Sequence, residues 1–181
     1  MNNTKNSVVG IDKTLQEIQE SIYTLLGNLW AGEIEGFGRV YKNDSDKGSI
    51  PEWYNSLNKD YQDVYYNDNK SCVFCFLVGD DDSTDDELVF ESKVKCVFMV
   101  DLSKIYADNT SRNDSEAHRD AVQMLRSSDF NNIDITQVQR GVENVFSGYF
   151  TDKVKASIDM QPLHCFSVNF DLQYYLTDKC N

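Results

Sequence analysis

The most acidic stretch of the chain is residues 79–87, which read Gly-Asp-Asp-Asp-Ser-Thr-Asp-Asp-Glu and lie between two apolar runs. Clustered carboxylates can bind calcium, but the EF-hand loop needs Gly at its sixth position and Glu at its twelfth. Counted from Asp80, those positions hold Asp85 and Ser92, so the EF-hand pattern is absent and weak binding of divalent ions is the alternative. Carboxylates this close repel one another and cannot be buried unpaired. The sequence therefore predicts a hairpin tip that projects into water or meets a basic partner, formed by Asp80, Asp81, Asp82, Asp85, Asp86 and Glu87.

The five cysteines include one pair, Cys72-Val-Phe-Cys75, with the spacing of a redox or zinc motif. A redox pair is expected at the start of a helix, and a zinc site needs two further ligands nearby. This pair instead lies in a strand-like apolar run, where residues three apart point to opposite faces. We expect both cysteines to be small buried hydrophobic residues that bind no metal and form no disulfide.

The two histidines, His118 and His164, have no nucleophile at a recognisable spacing. The chain also has no Gly-x-Ser-x-Gly, P-loop, Gly-x-Gly-x-x-Gly or His-Glu-x-x-His motif. We therefore expect no catalytic residues, no cofactor and no enzymatic activity.

Residues 164–176 are the longest stretch in which apolar and polar residues alternate, and they belong to the elements that must position these groups. Side chains in a strand alternate between faces, so this stretch predicts a long antiparallel strand with one buried and one solvated face. Phe170 lies on the apolar parity together with His164 and five further residues. The apolar runs at residues 71–78 and 88–102, on either side of the acidic stretch, predict a long β-hairpin.

Helical spacing predicts helices at residues 12–30, 114–125 and 134–146, and a first strand is predicted at 34–42. Residues 43–70 are predicted to be a partly irregular excursion with one strand at 63–66, and residues 151–163 a link. The expected organisation is a flexible N-terminal arm at 1–11 and a single domain at 12–181. Its predicted fold is α+β, an antiparallel sheet with helices packed on one face.

Composition narrows the functional classes. The formal charge is −13, with 30 acidic and 17 basic residues, which disfavours a surface that wraps nucleic acid. The sequence contains no run of 18 apolar residues, so no membrane span is predicted. No secretory signal is visible, so reduced thiols in a cytosolic setting are expected.

The predicted order of a helix, strands, a long hairpin, a helix pair and a final long alternating strand resembles that of the tail-terminator and neck (head–tail connector) ring proteins of long-tailed bacteriophages. Five short pieces stand out in the sequence: Gly38-Arg39-Val40-Tyr41, Pro51-Glu52-Trp53-Tyr54, Phe98-Met99-Val100-Asp101-Leu102, His118-Arg119 and Asp159-Met160-Gln161-Pro162. They resemble virion proteins of crAss-like phages. The resemblance implies a structural virion subunit, assembled in the host cytoplasm, that forms a hexameric or twelve-fold ring. It also implies contacts with other head, neck and tail proteins, and DNA only as passing cargo.

The acidic excess fits this expectation, because a channel lined with carboxylates repels DNA phosphates. The apolar hairpin strands also exceed what a monomer needs to bury, as contacts between ring subunits would require. The alternative is an acidic mimic of nucleic acid that inhibits a basic host protein. Light scattering separates the two, because a ring is several times larger than a 20.8 kDa monomer.

Overall fold

The computed structural model describes residues 8–85, 88–107, 112–127, 130–158 and 160–176. In chain order the elements are α1 (Ile11–Leu29), β1 (Ile34–Ser45), β2 (Gly48–Asn55), β3 (Asp60–Asp63), β4 (Cys72–Thr84), β5 (Val89–Asp101), α2 (Leu102–Ile105), α3 (Asp114–Ser127), β6 (Ile133–Arg140), α4 (Val142–Val145), α5 (Asp152–Ile158) and β7 (Leu163–Tyr175).

The strands form one seven-stranded sheet in the order β3-β2-β1-β4-β5-β7-β6. Every neighbouring pair is antiparallel except β1 and β4, which are parallel because the chain leaves β1 through β2 and β3 before it returns. The long hairpin is formed by β4 and β5, whose register runs from Cys72 opposite Val100 to Thr84 opposite Phe90. The predicted α+β class and long hairpin are confirmed, and the sheet is antiparallel as predicted except where β1 pairs with β4.

The two faces of the sheet are covered by different helices. α1 and α3 bury an apolar stripe on one face, here the α1 face, where Leu15, Ile18, Ile22 and Leu26 recur at helical spacing. The short helices α4 and α5 cover part of the opposite face, here the α4 face, with Val145 and Val154 in its core. The predicted packing of helices on one face therefore holds for the two long helices. The first half of β4 and the second half of β5 are apolar and buried on both faces of the sheet.

β7 pairs along its length with β5 on one side and with β6 on the other. Its predicted alternation is confirmed: Phe166, Phe170 and Tyr174 are buried on the α1 face. The face predicted to be solvated is exposed only toward the end of the strand, because Cys165 and Ser167 are buried on the side of α4 and α5.

The helix predicted at 134–146 is wrong, since residues 133–140 form the edge strand β6. A β-bulge between Ile135 and Gln137 explains the misleading pattern. Ile135 is opposite Phe170 and Val138 is opposite Val168, so two residues three apart share one face of the sheet. A bulge inserts one residue into a strand, and here it converts a spacing of two into the spacing of a helix.

The excursion is more regular than predicted. Instead of one strand at 63–66, it contains β2 and β3, and Tyr66 lies outside both strands. Pro51 cannot donate a hydrogen bond, yet it lies within β2, where its carbonyl accepts a hydrogen bond from the Val64 N–H at 3.1 Å. The predicted link at 151–163 contains α5.

The predicted N-terminal arm falls mostly on residues 1–7, which lie outside the described residues. Ile11, expected as the last residue of the arm, is instead the first residue of α1 and is buried.

Candidate functional site

The acidic stretch is an exposed extension of β4 rather than a loop. We call residues 79–85 the acidic ribbon; all of them are exposed. Asp80, Asp81 and Asp82 lie within β4, and after a bulge Asp82 pairs with Ser92 and Thr84 with Phe90. The predicted loop is therefore corrected to a strand as far as Thr84, because β5 continues outward as its backbone partner and is itself paired with β7 on its other side. The predicted site residues Asp86 and Glu87 lie outside the described residues.

Two carboxylates of the acidic ribbon are held by the same chain. Asp80 Oδ2 lies 2.6 Å from Lys42 Nζ, and Asp82 Oδ2 accepts a hydrogen bond from the Tyr174 hydroxyl at 2.8 Å. Burial, with the Asp82 carboxylate beside it, raises the pKa of Tyr174 to about 12. Asp81 and Asp85 form no ion pair or side-chain hydrogen bond with any described residue. These two carboxylates are available to a partner.

A cleft of about 400 Å³ opens on the α4 face beside the acidic ribbon. We call it the lysine cleft, because three of its lining residues are lysines in a chain that is strongly acidic overall. β1 contributes Lys42, β5 contributes Lys93 and Lys95, and the residues after α4 contribute Tyr149. The remaining polar lining residues are Thr136, Gln137, Ser147, Asn169 and Asp171.

Lys95 is the most buried of the three lysines. Its ammonium group donates hydrogen bonds to the carbonyls of Asn144 at 3.3 Å and Val145 at 3.2 Å, at the end of α4. Burial lowers the pKa of Lys95. Carbonyl oxygens solvate an ammonium group without neutralising it, and among the described residues no carboxylate lies within ion-pair distance of Lys95 or Lys93. Lys42 differs, since Asp80 neutralises it.

The two histidines, 46 residues apart in the chain, meet beneath α3. His118 of α3 and His164 of β7 are both buried, and their Nε2 atoms are 2.9 Å apart. The Phe166 ring stacks on His164 at 5.5 Å and meets His118 edge-on at 4.6 Å. The sequence assigned these histidines no role. The available signal was that His164 has the buried parity of its strand, while Ala117 and Ala121 mark the buried side of α3.

The histidine pair is built to be neutral. A hydrogen bond between two Nε2 atoms requires one ring to donate and the other to accept, so both rings cannot be charged. Burial lowers the pKa of His118, and burial together with His118 lowers the pKa of His164 to about 4. Within the described residues, no three His, Cys, Asp or Glu side chains are grouped so that they could hold a metal ion. The pair is therefore a buried hydrogen bond between α3 and the sheet.

Cys72 and Cys75 point to opposite faces of β4, as predicted. Cys72 packs in the core under α1, and Cys75 packs in the core under α4. Burial raises the pKa of the Cys75 thiol to about 12 and raises that of Cys72 further. Neither thiol is ionised near neutral pH, so neither is an activated nucleophile.

Comparison with family models, curated proteins and solved structures finds no match to this chain. Among the helices that the structure describes, none is both long enough and apolar enough to span a membrane.

Proposed function

We propose that this chain is a structural subunit of a ring in the head–tail neck or the tail terminator of a long-tailed bacteriophage. The observation that carries the proposal is the acidic ribbon, an exposed strand extension with two carboxylates that no described residue neutralises. Such a projection contributes nothing to the subunit's own core, and a contact with a neighbour or with a DNA passage gives it a use.

Exposed apolar side chains at the same end of the sheet support assembly. Val9 and Leu88 are 70% and 66% exposed, and Tyr175 and Leu176 are also exposed. Leu88 precedes Val89, which is opposite Tyr175, and Gly10 lies against Leu176. Large apolar side chains gathered at one end of a molecule are typical of surfaces that other proteins cover.

The charge suits a channel through which DNA passes. A net charge of −13 disfavours a surface that releases counterions from DNA and holds it. Several such subunits in a ring would surround the passage with negative potential, which keeps phosphates away from the wall. The subunit would reside in the virion after assembly in the host cytoplasm, in contact with other head, neck and tail proteins.

The test is the mass of the purified chain by size-exclusion chromatography with light scattering, alone and mixed with phage head and tail components. A ring subunit is expected to give a particle six or twelve times the mass of the 20.8 kDa chain. A monomer under all of these conditions contradicts the proposal.

The acidic ribbon also favours a second candidate, an inhibitor that mimics nucleic acid. Asp81 and Asp85 would then face lysines and arginines of a host protein in place of DNA phosphates. Such a chain would remain monomeric alone and would form a salt-sensitive complex with a basic protein, which the same light-scattering experiment detects.

A further inference from the structure

Charges of opposite sign remain unneutralised on two surfaces of the chain. In the lysine cleft, Lys93 and Lys95 have no carboxylate within ion-pair distance among the described residues. In the acidic ribbon, Asp81 and Asp85 have no cation there. Both surfaces are accessible, and each presents the charge that the other lacks.

Lys95 gives the stronger half of the argument. An ammonium group that is partly removed from water costs free energy unless an opposite charge compensates. Its two carbonyl contacts use two of its three N–H bonds and leave one for another acceptor. Lys93, two residues along β5, is on the same face of the strand and lines the same cleft. A carboxylate entering the cleft would therefore meet two cations, beside the Asp171 carboxylate that lines the cleft opposite Lys93 on β7.

No carboxylate of the chain's own ribbon forms an ion pair with Lys93 or Lys95. Asp80 is paired with Lys42 at 2.6 Å. Asp81 lies in the bulge of β4 and lines a second cleft together with Lys93, without an ion pair between them, and Asp85 lies beyond the end of the strand. The unpaired carboxylates and the unpaired lysines are therefore available to the opposite charges of a second copy.

We propose that the lysine cleft binds the acidic ribbon of a second copy of this chain. This inference rests on the proposed ring and specifies its contact: each copy uses its cleft toward one neighbour and its ribbon toward the other. A contact between two different surfaces repeats head to tail and closes into a ring when the rotation permits. A cleft of about 400 Å³ accommodates a few side chains, which fits insertion of carboxylates from the end of a narrow ribbon.

Charge reversal tests the pairing. One variant carries Lys93→Glu with Lys95→Gln, and the other carries Asp81→Lys with Asp85→Lys. Each alone is expected to lose the oligomer in light scattering, because cleft and ribbon then have the same sign. An equimolar mixture is expected to restore it, since the reversed ribbon of one variant meets the reversed cleft of the other and an even-numbered ring can alternate them.

The matched control reverses two cations outside the cleft, Lys59→Glu with Arg126→Glu, which are both exposed. It is expected to keep the oligomer of the unmodified chain. Thermal unfolding followed by circular dichroism establishes that each variant folds. If the double cleft variant does not fold, Lys93→Glu alone replaces it, because Lys93 is exposed and holds no element in place.

Cross-linking with a carbodiimide, which joins amines to carboxylates at contact distance, gives an independent measurement. With ¹⁴N- and ¹⁵N-labelled copies mixed, links from Lys93 or Lys95 to Asp81 or Asp85 are expected between copies. If the cleft variant assembles like the unmodified chain, and the unmodified chain gives no such link, this inference is overturned and the ring proposal still stands. An unmodified chain that is monomeric alone and with head and tail components overturns both. Citrate serves as a small-anion probe of the cleft. If citrate binds there and assembly is unchanged, the cleft is a small-anion site and the inference is likewise overturned.

Discussion

The ring of Phe170 fills the centre of the core on the α1 face, where only 1% of the residue is exposed. Replacement by Ala removes this apolar volume and leaves a cavity, because the surrounding strands cannot fully collapse into it. We expect Phe170→Ala to lower the free energy of unfolding by roughly 3–5 kcal/mol. Urea denaturation measures the change. Tyr175→Ala, an exposed position on the same strand, is the control and is expected to have a much smaller effect.

The histidine pair predicts acid sensitivity. Since burial and the neighbouring ring hold the pKa of His164 at about 4, below the ordinary 6.5, the folded state resists a proton that the unfolded chain accepts. The pair's contribution to stability is complete above pH 6.5 and is lost as the pH falls toward 4. Arg112 and Arg140 reinforce the lowered pKa, and the Asp114 carboxylate opposes it.

We therefore expect the urea concentration at the unfolding midpoint to be lower at pH 5 than at pH 7. A His118→Gln, His164→Gln double variant has no group in the pair that titrates in this range, so its midpoint is expected to change less. Equal pH dependence in the variant and the unmodified chain would show that other groups cause the loss.

Among the elements, Asp120 connects three segments of the chain. Its Oδ2 accepts hydrogen bonds from Trp30 Nε1 at 3.3 Å and from the Tyr106 hydroxyl at 2.6 Å, which joins α1 and the residues after α2 to α3. Arg119 lies 3.1 Å from the other carboxylate oxygen. Burial, with the Asp120 carboxylate as hydrogen-bond acceptor, raises the pKa of Tyr106 well above its ordinary value.

Asp120→Ala is expected to lower the free energy of unfolding by about 1–3 kcal/mol, because it leaves two donors without their acceptor in a largely buried site. Chemical denaturation measures the difference. Gln123→Ala, an exposed position on the same helix, serves as the control and should leave stability nearly unchanged. A similar loss in both variants would mean that α3 responds to any substitution.

Periodicity in the sequence was sufficient to predict several of the helices and strands. α1, α3, β5 and β7 each contain many residues with one dominant period, and the structure forms all four close to the predicted bounds. β4 begins as its apolar run predicts but continues to Thr84. β6 failed because its bulge placed apolar residues at helical spacing, and only the pairing with β7 reveals it as a strand. β2 contains Pro51, which has no N–H, and only its pairing with β1 and β3 reveals it as a strand.

Less of the candidate site could be predicted from the sequence. The acidic stretch was identified by composition, although its strand conformation depends on its pairing with β5, which β7 in turn supports. The lysine cleft depends on Lys42, which is about fifty residues from Lys93 and Lys95 in the chain and approaches them only through the parallel pairing of β1 with β4. The histidine pair likewise forms only when α3 packs on β7. Contacts at this sequence separation leave no local pattern.

At the scale of the whole molecule, we expect the carboxylates of the acidic ribbon to affect assembly and not the stability of the fold. Asp81 and Asp85 have no partner among the described residues, so Asp81→Asn with Asp85→Asn should leave the unfolding midpoint unchanged or slightly raised, since like charges repel less. The same variant should assemble less well, because the cleft of a neighbouring copy loses its carboxylates. The control, Asp44→Asn with Asp46→Asn, removes the same charge from the exposed end of the β1–β2 hairpin and should assemble normally. Light scattering gives the oligomer and circular dichroism the midpoint. If the two variants assemble equally well, the ribbon has no specific role; if they lose assembly equally, net charge controls association.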